Sequence, residues 1–418
     1  MKALLKAARI IAPQSTFHNT QQDVLIENGI IASIGSNLEA TENTELIDAR
    51  GCLLSIGWFD LQAQMRDPGF EHKEDLQTGC KTASAGGFTH VMVMPNTEPA
   101  IDSKGMVEYI GRENRFRLVQ LFSQAAVTKG TKGQDFTDMV DLHQAGALAF
   151  GDGETEKYNS DITLKTLQYL QKVDGLLVTA PQDKYLSMFG QMHEGVQSTL
   201  MGTKAIPSIS EEICVDRDLK LLEYAGGKIH FSNLSTKEAV EAIRKAKKSG
   251  LQVSCDVAAN QLHFTDSDLS LFDTRLKVMP PYRSLDDSEA LKNGLADGTI
   301  DAVVSAHAPH DEESKKLEFD LADFGSANLQ TVYPVLAQHL DAETIVEKLA
   351  YAPRRILKQE IPEIEAGASA CLTLFDPAQK WTLNAETNHS KSVYSPFWER
   401  ELTGKVKAVF NNGFCEQF

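Results

Sequence analysis

From about residue 52 onward, short β-branched apolar runs alternate with longer helical patterns. The runs occupy residues 53–61, 89–94, 118–125, 147–150, 175–179, 228–234, 252–258 and 301–306. Helical patterns lie between many of them, clearest at 136–145, 162–173, 211–225 and 236–249, the last ending at Gly250. Two more follow, near 327–340 and 342–350. Parallel strands need a long crossover, usually a helix, so this alternation specifies a parallel sheet. Eight repeats predict that the sheet closes on itself as an α/β fold, the (β/α)8 TIM barrel.

The two ends of the chain read differently. Residues 23–35 hold two β-branched runs joined by Asn28-Gly29, a dipeptide suited to a two-residue hairpin turn. β character returns at 371–376 and 404–410. The expected organisation is a composite β-sandwich from residues 1–50 plus 365–418, flanking a barrel at 51–364. A chain of 418 residues suits one large barrel with such an accessory unit.

A formal net charge of −17 argues against nucleic acid or an anionic membrane surface as partner, because both are polyanions. The six cysteines contain no C-x-x-C pair, which fits a reducing, cytoplasmic setting better than a disulfide framework or a zinc ribbon. No apolar run approaches the ~20 residues of a membrane helix. Charges interrupt the N-terminal apolar run, against a signal peptide.

The strand ends carry the chemistry. Gly57-Trp58-Phe59-Asp60-Leu61-Gln62-Ala63-Gln64-Met65-Arg66-Asp67-Pro68-Gly69 resembles the entry motif of the cyclic amidohydrolases. It is most similar to the dihydroorotase form, in which His-x-His precedes Leu-Arg-x-Pro-Gly. Met94-Pro95-Asn96-Thr97, Leu234-Ser235-Thr236-Lys237-Glu238, Pro280-Pro281-Tyr282-Arg283-Ser284 and His307-Ala308-Pro309-His310 extend the resemblance along the chain. It points to the dihydroorotases found alongside aspartate carbamoyltransferase, and hence to hydrolysis of a cyclic amide in pyrimidine biosynthesis.

The resemblance also implies where zinc ligands belong, and this chain departs from it there. Gln62 and Gln64 replace the first histidine pair. Asp152, in a motif one residue short, is the one carboxylate that could still ligate. Thr179 stands in a segment that should carry histidine, and Asn233 replaces another histidine. Ala306 replaces the aspartate that serves as ligand and general base. A glutamine amide is a weak donor to zinc, and an alanine methyl can neither ligate nor move a proton. The expectation is a divergent member without its zinc and with no confident catalytic residue.

Arg66, Asn96 and His310 match the family's substrate-binding positions, and a guanidinium fork suits a carboxylate. Three readings follow. One is a catalytically silent scaffold or regulatory partner of aspartate carbamoyltransferase, itself a homo-oligomer. Another is an active cyclic-amide hydrolase with a relocated metal or none. The third is a metal-free binder of a small carboxylate such as dihydroorotate.

Overall fold

The computed structural model describes residues 1–153 and 159–418. Eight parallel strands form the barrel: Trp58–Ala63, Phe88–Val93, Gln120–Ala125, Ala149–Phe150, Leu177–Thr179, Ile229–Phe231, Val253–Ala258 and Ala302–Val304. Each overlaps one of the eight apolar runs. The first and eighth strands meet through a bridge between Ala63 and His307, where the Gln64 N–H donates to the His307 carbonyl at 2.8 Å. Phe59, Leu61, Met92, Ala149, Val178, Ala258, Ala302 and Val304 pack together in one apolar cluster inside the ring.

The strands of both termini form a second sheet. It runs from Phe414–Gln417 through Glu401–Asn411, Leu372–Thr382, Leu53–Ile56, Lys2–Ile10 and Gln21–Glu27 to Ile30–Gly35, and Glu45–Asp48 pairs with Lys2–Ile10. The expected hairpin turns at Asn28 and Gly29, both with positive φ (52° and 79°). That backbone matches the twist of the flanking strands.

One strand reading needs correction. Residues 53–61 are not a single barrel strand, because the run divides at Gly57. Leu53–Ile56 belongs to the terminal sheet and Trp58–Ala63 to the barrel. The Gly57 N–H donates to the Cys371 carbonyl of the terminal sheet, and the next N–H, on Trp58, reaches Gly87 beside the second barrel strand. A side chain at 57 would put its Cβ 2.3 Å from Thr89.

The first of the two late helices differs from the pattern, and the second is helical as expected. The stretch 327–340 contains only Leu329–Thr331 and Val332–Leu336 as helical turns. Pro334 lacks the N–H that an upstream carbonyl would need. The stretch 342–350 begins as the helix Ala342–Val346, widens over Glu347–Tyr351 and continues as Ala352–Ile356. Pro353 cannot donate to the Leu349 carbonyl, so the turn ahead of it opens. Among the described residues no helix is long and apolar enough to cross a membrane.

Candidate functional site at the barrel mouth

The C-terminal ends of barrel strands are where barrel chemistry sits. Gln62, Gln64, Asp152, Thr179 and Asn233 are all buried there. Asp152 is turned toward Thr128, whose N–H donates to its Oδ1 at 2.9 Å and whose hydroxyl donates to its Oδ2. The Gln62 Oε1 accepts from Ser232 Oγ at 3.2 Å. Asn233 and Ala306 both hold positive φ, 59° and 47°. An alanine gains nothing from that region, which asparagine and aspartate tolerate better. Beside Ala306 lies a cavity of about 20 Å³, lined by Asn260, Gln261, Tyr282 and Asn328 with no charged side chain. Among the described residues, no group of three or more His, Cys, Asp or Glu side chains is arranged to hold a metal ion.

Arg66 and His310 come together. Arg66 Nε donates to the Pro309 carbonyl at 3.1 Å and its Nη2 lies 3.1 Å from His310 Nε2. His310 Nε2 also meets the Phe324 carbonyl at 2.9 Å, and Nδ1 meets Lys73 Nζ at 3.1 Å. The Lys73 ammonium and the Phe324 carbonyl fit a neutral ring protonated on Nε2, which leaves the Arg66 Nη2 approach a contact and not a hydrogen bond. Burial, then the charges of Arg66, Lys73 and Lys315, push the imidazole down to about 3. Asn96 sits against Gly153, and its Oδ1 is buried without a hydrogen-bond partner among the described residues. Gln182 Nε2 and Asn233 Oδ1 share that condition. Unpaired buried polar atoms are rare in folded proteins, and three after the second, fifth and sixth barrel strands mark a place for solvent or ligand.

The segment after His310 is tied down from beneath. Lys315, fully buried, donates to the carbonyls of Asp323 and Gly325 at 2.8 and 2.9 Å. Burial, with Lys277 nearby, pushes its ammonium down to about 7. Lys277 in turn holds the Phe319 carbonyl at 2.6 Å. His307 accepts the Asn328 N–H on Nδ1, and its Nε2 faces the buried Glu74 carboxylate at 3.6 Å. Burial works to raise the Glu74 pKa, but His307, Ser390 and Thr78 outweigh it and hold the carboxyl low.

A buried polar network that the motif reading passed over links strands one, six, seven and eight. Asp60 accepts from the Ser305 N–H at 3.0 Å and from the Ser305 hydroxyl. Asp256 accepts from His230 Nε2 at 2.9 Å and from the Asn233 N–H at 2.6 Å. Ser232 Oγ lies within 3.3 Å of both Asp256 oxygens and so bridges Asp256 to Gln62. On its other side, His230 Nδ1 meets Ser254 Oγ at 2.8 Å. Burial is the main force pushing the Asp60 carboxyl up to about 7. The available signal was polar residues two apart inside apolar runs: His230 and Ser232, then Ser254 and Asp256.

A dihydroorotase of Geotalea daltonii is 38% identical over 99% of this chain and 98% of its own length. The chain belongs to the dihydroorotase family. The family model described as dihydro-orotase-like matches residues 51–239. A dihydroorotase of Acetivibrio thermocellus is 37% identical over 98% of this chain and 97% of its own. Among solved structures, the L-hydantoinase (dihydropyrimidinase) of Arthrobacter aurescens superposes with a TM-score of 0.84 at 21% identity. That match covers 100% of this chain and 97% of the hydantoinase. It shows that this dihydroorotase-family chain shares the hydantoinase's fold.

Proposed function

We propose that this dihydroorotase-family protein does not carry out the family's zinc-dependent hydrolysis and acts as a structural or regulatory partner of aspartate carbamoyltransferase. The observation that carries the first part is the donor set at the strand ends. Catalytic zinc takes about three protein ligands and an open position. Two glutamine amides, an asparagine, a threonine hydroxyl and an alanine do not fit that ion, and the one carboxylate among them, Asp152, is occupied by Thr128. The cavity of about 20 Å³ beside Ala306 has room for a water, far less than a six-membered cyclic amide requires. The partner rests on the resemblance to dihydroorotases that occur with that enzyme.

The test has two parts. Purified protein incubated with zinc and desalted is assayed for metal content and for dihydroorotate turnover. Well below one zinc per chain and turnover at the level of the uncatalysed reaction are expected; stoichiometric zinc with turnover refutes the reading. Sedimentation with aspartate carbamoyltransferase is then expected to give a joint species, and independent migration at micromolar concentration refutes the partner.

A second reading, an active cyclic-amide hydrolase, is favoured by identity of 35–38% to dihydroorotases over nearly the full chain. Its machinery would be Asp152 and His307, both buried at the mouth. On this reading dihydroorotate turns over, and substituting Asp152 and His307 separately abolishes it. A third function, carboxylate binding without metal, rests on Arg66, Asn96 and His310; calorimetry with dihydroorotate on wild type and Arg66→Ala tests it, and no heat in wild type ends it.

A further inference from the structure

The opposite end of the barrel holds a cavity of about 670 Å³, at the N-terminal ends of the first three strands. Phe59, His90, Phe122, Gln120, Ser369 and Arg354 line it. Arg354 is 1% exposed and its guanidinium meets only neutral groups. Nη1 donates to the Ala350 carbonyl at 2.7 Å, and Nη2 reaches His90 Nδ1 at 3.2 Å and Cys371 Sγ at 3.8 Å. Among the described residues no carboxylate pairs with it. A buried guanidinium without a counter-charge is costly, and the usual remedy is an acid within ion-pair distance.

Part of the remaining wall is aromatic and flat, and Gln120, Ser369, Asn411 and Asn412 make much of the rest polar. His90 and Phe122 stack at 10° with centroids 5.8 Å apart, and Phe59 packs against both rings. The guanidinium carbon lies 6.0 Å from the Phe59 centroid. His90 accepts on Nδ1 from Arg354 and lies 2.8 Å from the Thr89 hydroxyl, and burial keeps its imidazole neutral. One buried cation therefore borders a roomy cavity beside an aromatic surface. Glu360 and Glu363, exposed at the rim, are the acids that line the entrance.

We propose that this cavity binds a small planar organic anion, a carboxylate on an unsaturated ring, with the carboxylate on Arg354 and the ring against His90 and Phe122. The site is separate from the barrel mouth, so its occupancy does not depend on whether the mouth is catalytic. A guanidinium fork recognises a carboxylate through paired hydrogen bonds, and the surrounding aromatic faces favour a flat ring over a small inorganic ion.

Benzoate is the probe, with acetate as the comparison, titrated calorimetrically into the full-length protein. One benzoate per chain is expected, bound more tightly than acetate. Arg354→Met is expected to weaken benzoate roughly tenfold or more, as loss of a charge-assisted hydrogen bond does. The double variant Glu360→Gln/Glu363→Gln keeps the guanidinium and removes the rim charges, so it should tighten benzoate measurably. Absence of benzoate binding to wild type overturns the proposal, as does unchanged affinity in folded Arg354→Met, the result expected of an anion held at the mouth. If Arg354→Met does not fold, the rim variant decides, and unchanged affinity there overturns the proposal.

Discussion

Asp256 and His230 form a fully buried pair, with the carboxylate accepting from Nε2 at 2.9 Å between neighbouring barrel strands. The same carboxylate takes the Asn233 N–H and lies within reach of the Ser232 hydroxyl, so one side chain on the seventh strand satisfies three donors at the end of the sixth. Asp256→Ala strands all of them and should cost about 3–5 kcal/mol of stability. Asp256→Asn keeps one acceptor oxygen and should cost less. Urea unfolding monitored by circular dichroism distinguishes the two; equal and small losses would contradict a structural role for the pair.

Stability should depend on pH through Asp60. Burial raises its carboxyl to about 7, Asp256 adds to the rise, and the bonds from Ser305 and Gln62 oppose it. The native pKa exceeds the unfolded value of about 3.9, so the native state holds the proton more tightly. The resulting stabilisation is fully present below about pH 4 and is lost as pH rises through about 7. Asp60→Asn cannot titrate. The stability of wild type relative to this variant should therefore fall between about pH 5 and about pH 8. A flat difference in denaturation midpoints over that range would refute the assignment.

His310 behaves in the opposite sense. Burial and three neighbouring cations hold its pKa at about 3, below the unfolded value of about 6.5. Its contribution is present above about 6.5 and is lost as pH falls towards 3. Nitrogen-15 spectra should show a neutral ring protonated on Nε2 throughout the range from about pH 5 to about pH 8. Titration of this ring near 6.5 would mean that the contacts to Lys73 and Phe324 do not persist.

Lys315→Met should release the segment that follows His310. The substitution removes a buried ammonium but leaves the Asp323 and Gly325 carbonyls without their donor, a loss of about 1–3 kcal/mol. Limited proteolysis should then cut within 311–325 before the rest of the chain. Wild-type resistance in the variant would show that Lys277 alone secures the segment.

The barrel was legible because each parallel strand is a short apolar run and each crossover has helical periodicity. The hairpin at Asn28-Gly29 was legible because two positive φ angles select those residues. The handover at Gly57 was not, since 53–61 is apolar on both sides and alternation gives no warning when both faces are buried. The helix at 342–350 was legible, whereas 327–340 is cut to short turns around Pro334. At the mouth, motif positions located the strand-end residues, and the structure brought Arg66 onto His310. The pairing of Asp152 with Thr128 was not legible, because it joins the ends of neighbouring strands through residues 24 apart in sequence. The Asp60, His230 and Asp256 network escaped for a similar reason: its members stand on separate strands, and only closure of the barrel makes them neighbours.

The pairing of Leu53–Ile56 with Leu372–Thr382 has a consequence for synthesis. Residues that lead directly into the first barrel strand must wait for a partner translated more than three hundred residues later. Until that partner leaves the ribosome, Leu53–Ile56 presents an open apolar edge able to pair with a neighbouring nascent chain. Chains arrested before residue 372 should therefore depend on chaperones far more than the finished protein, however complete their barrel segments are.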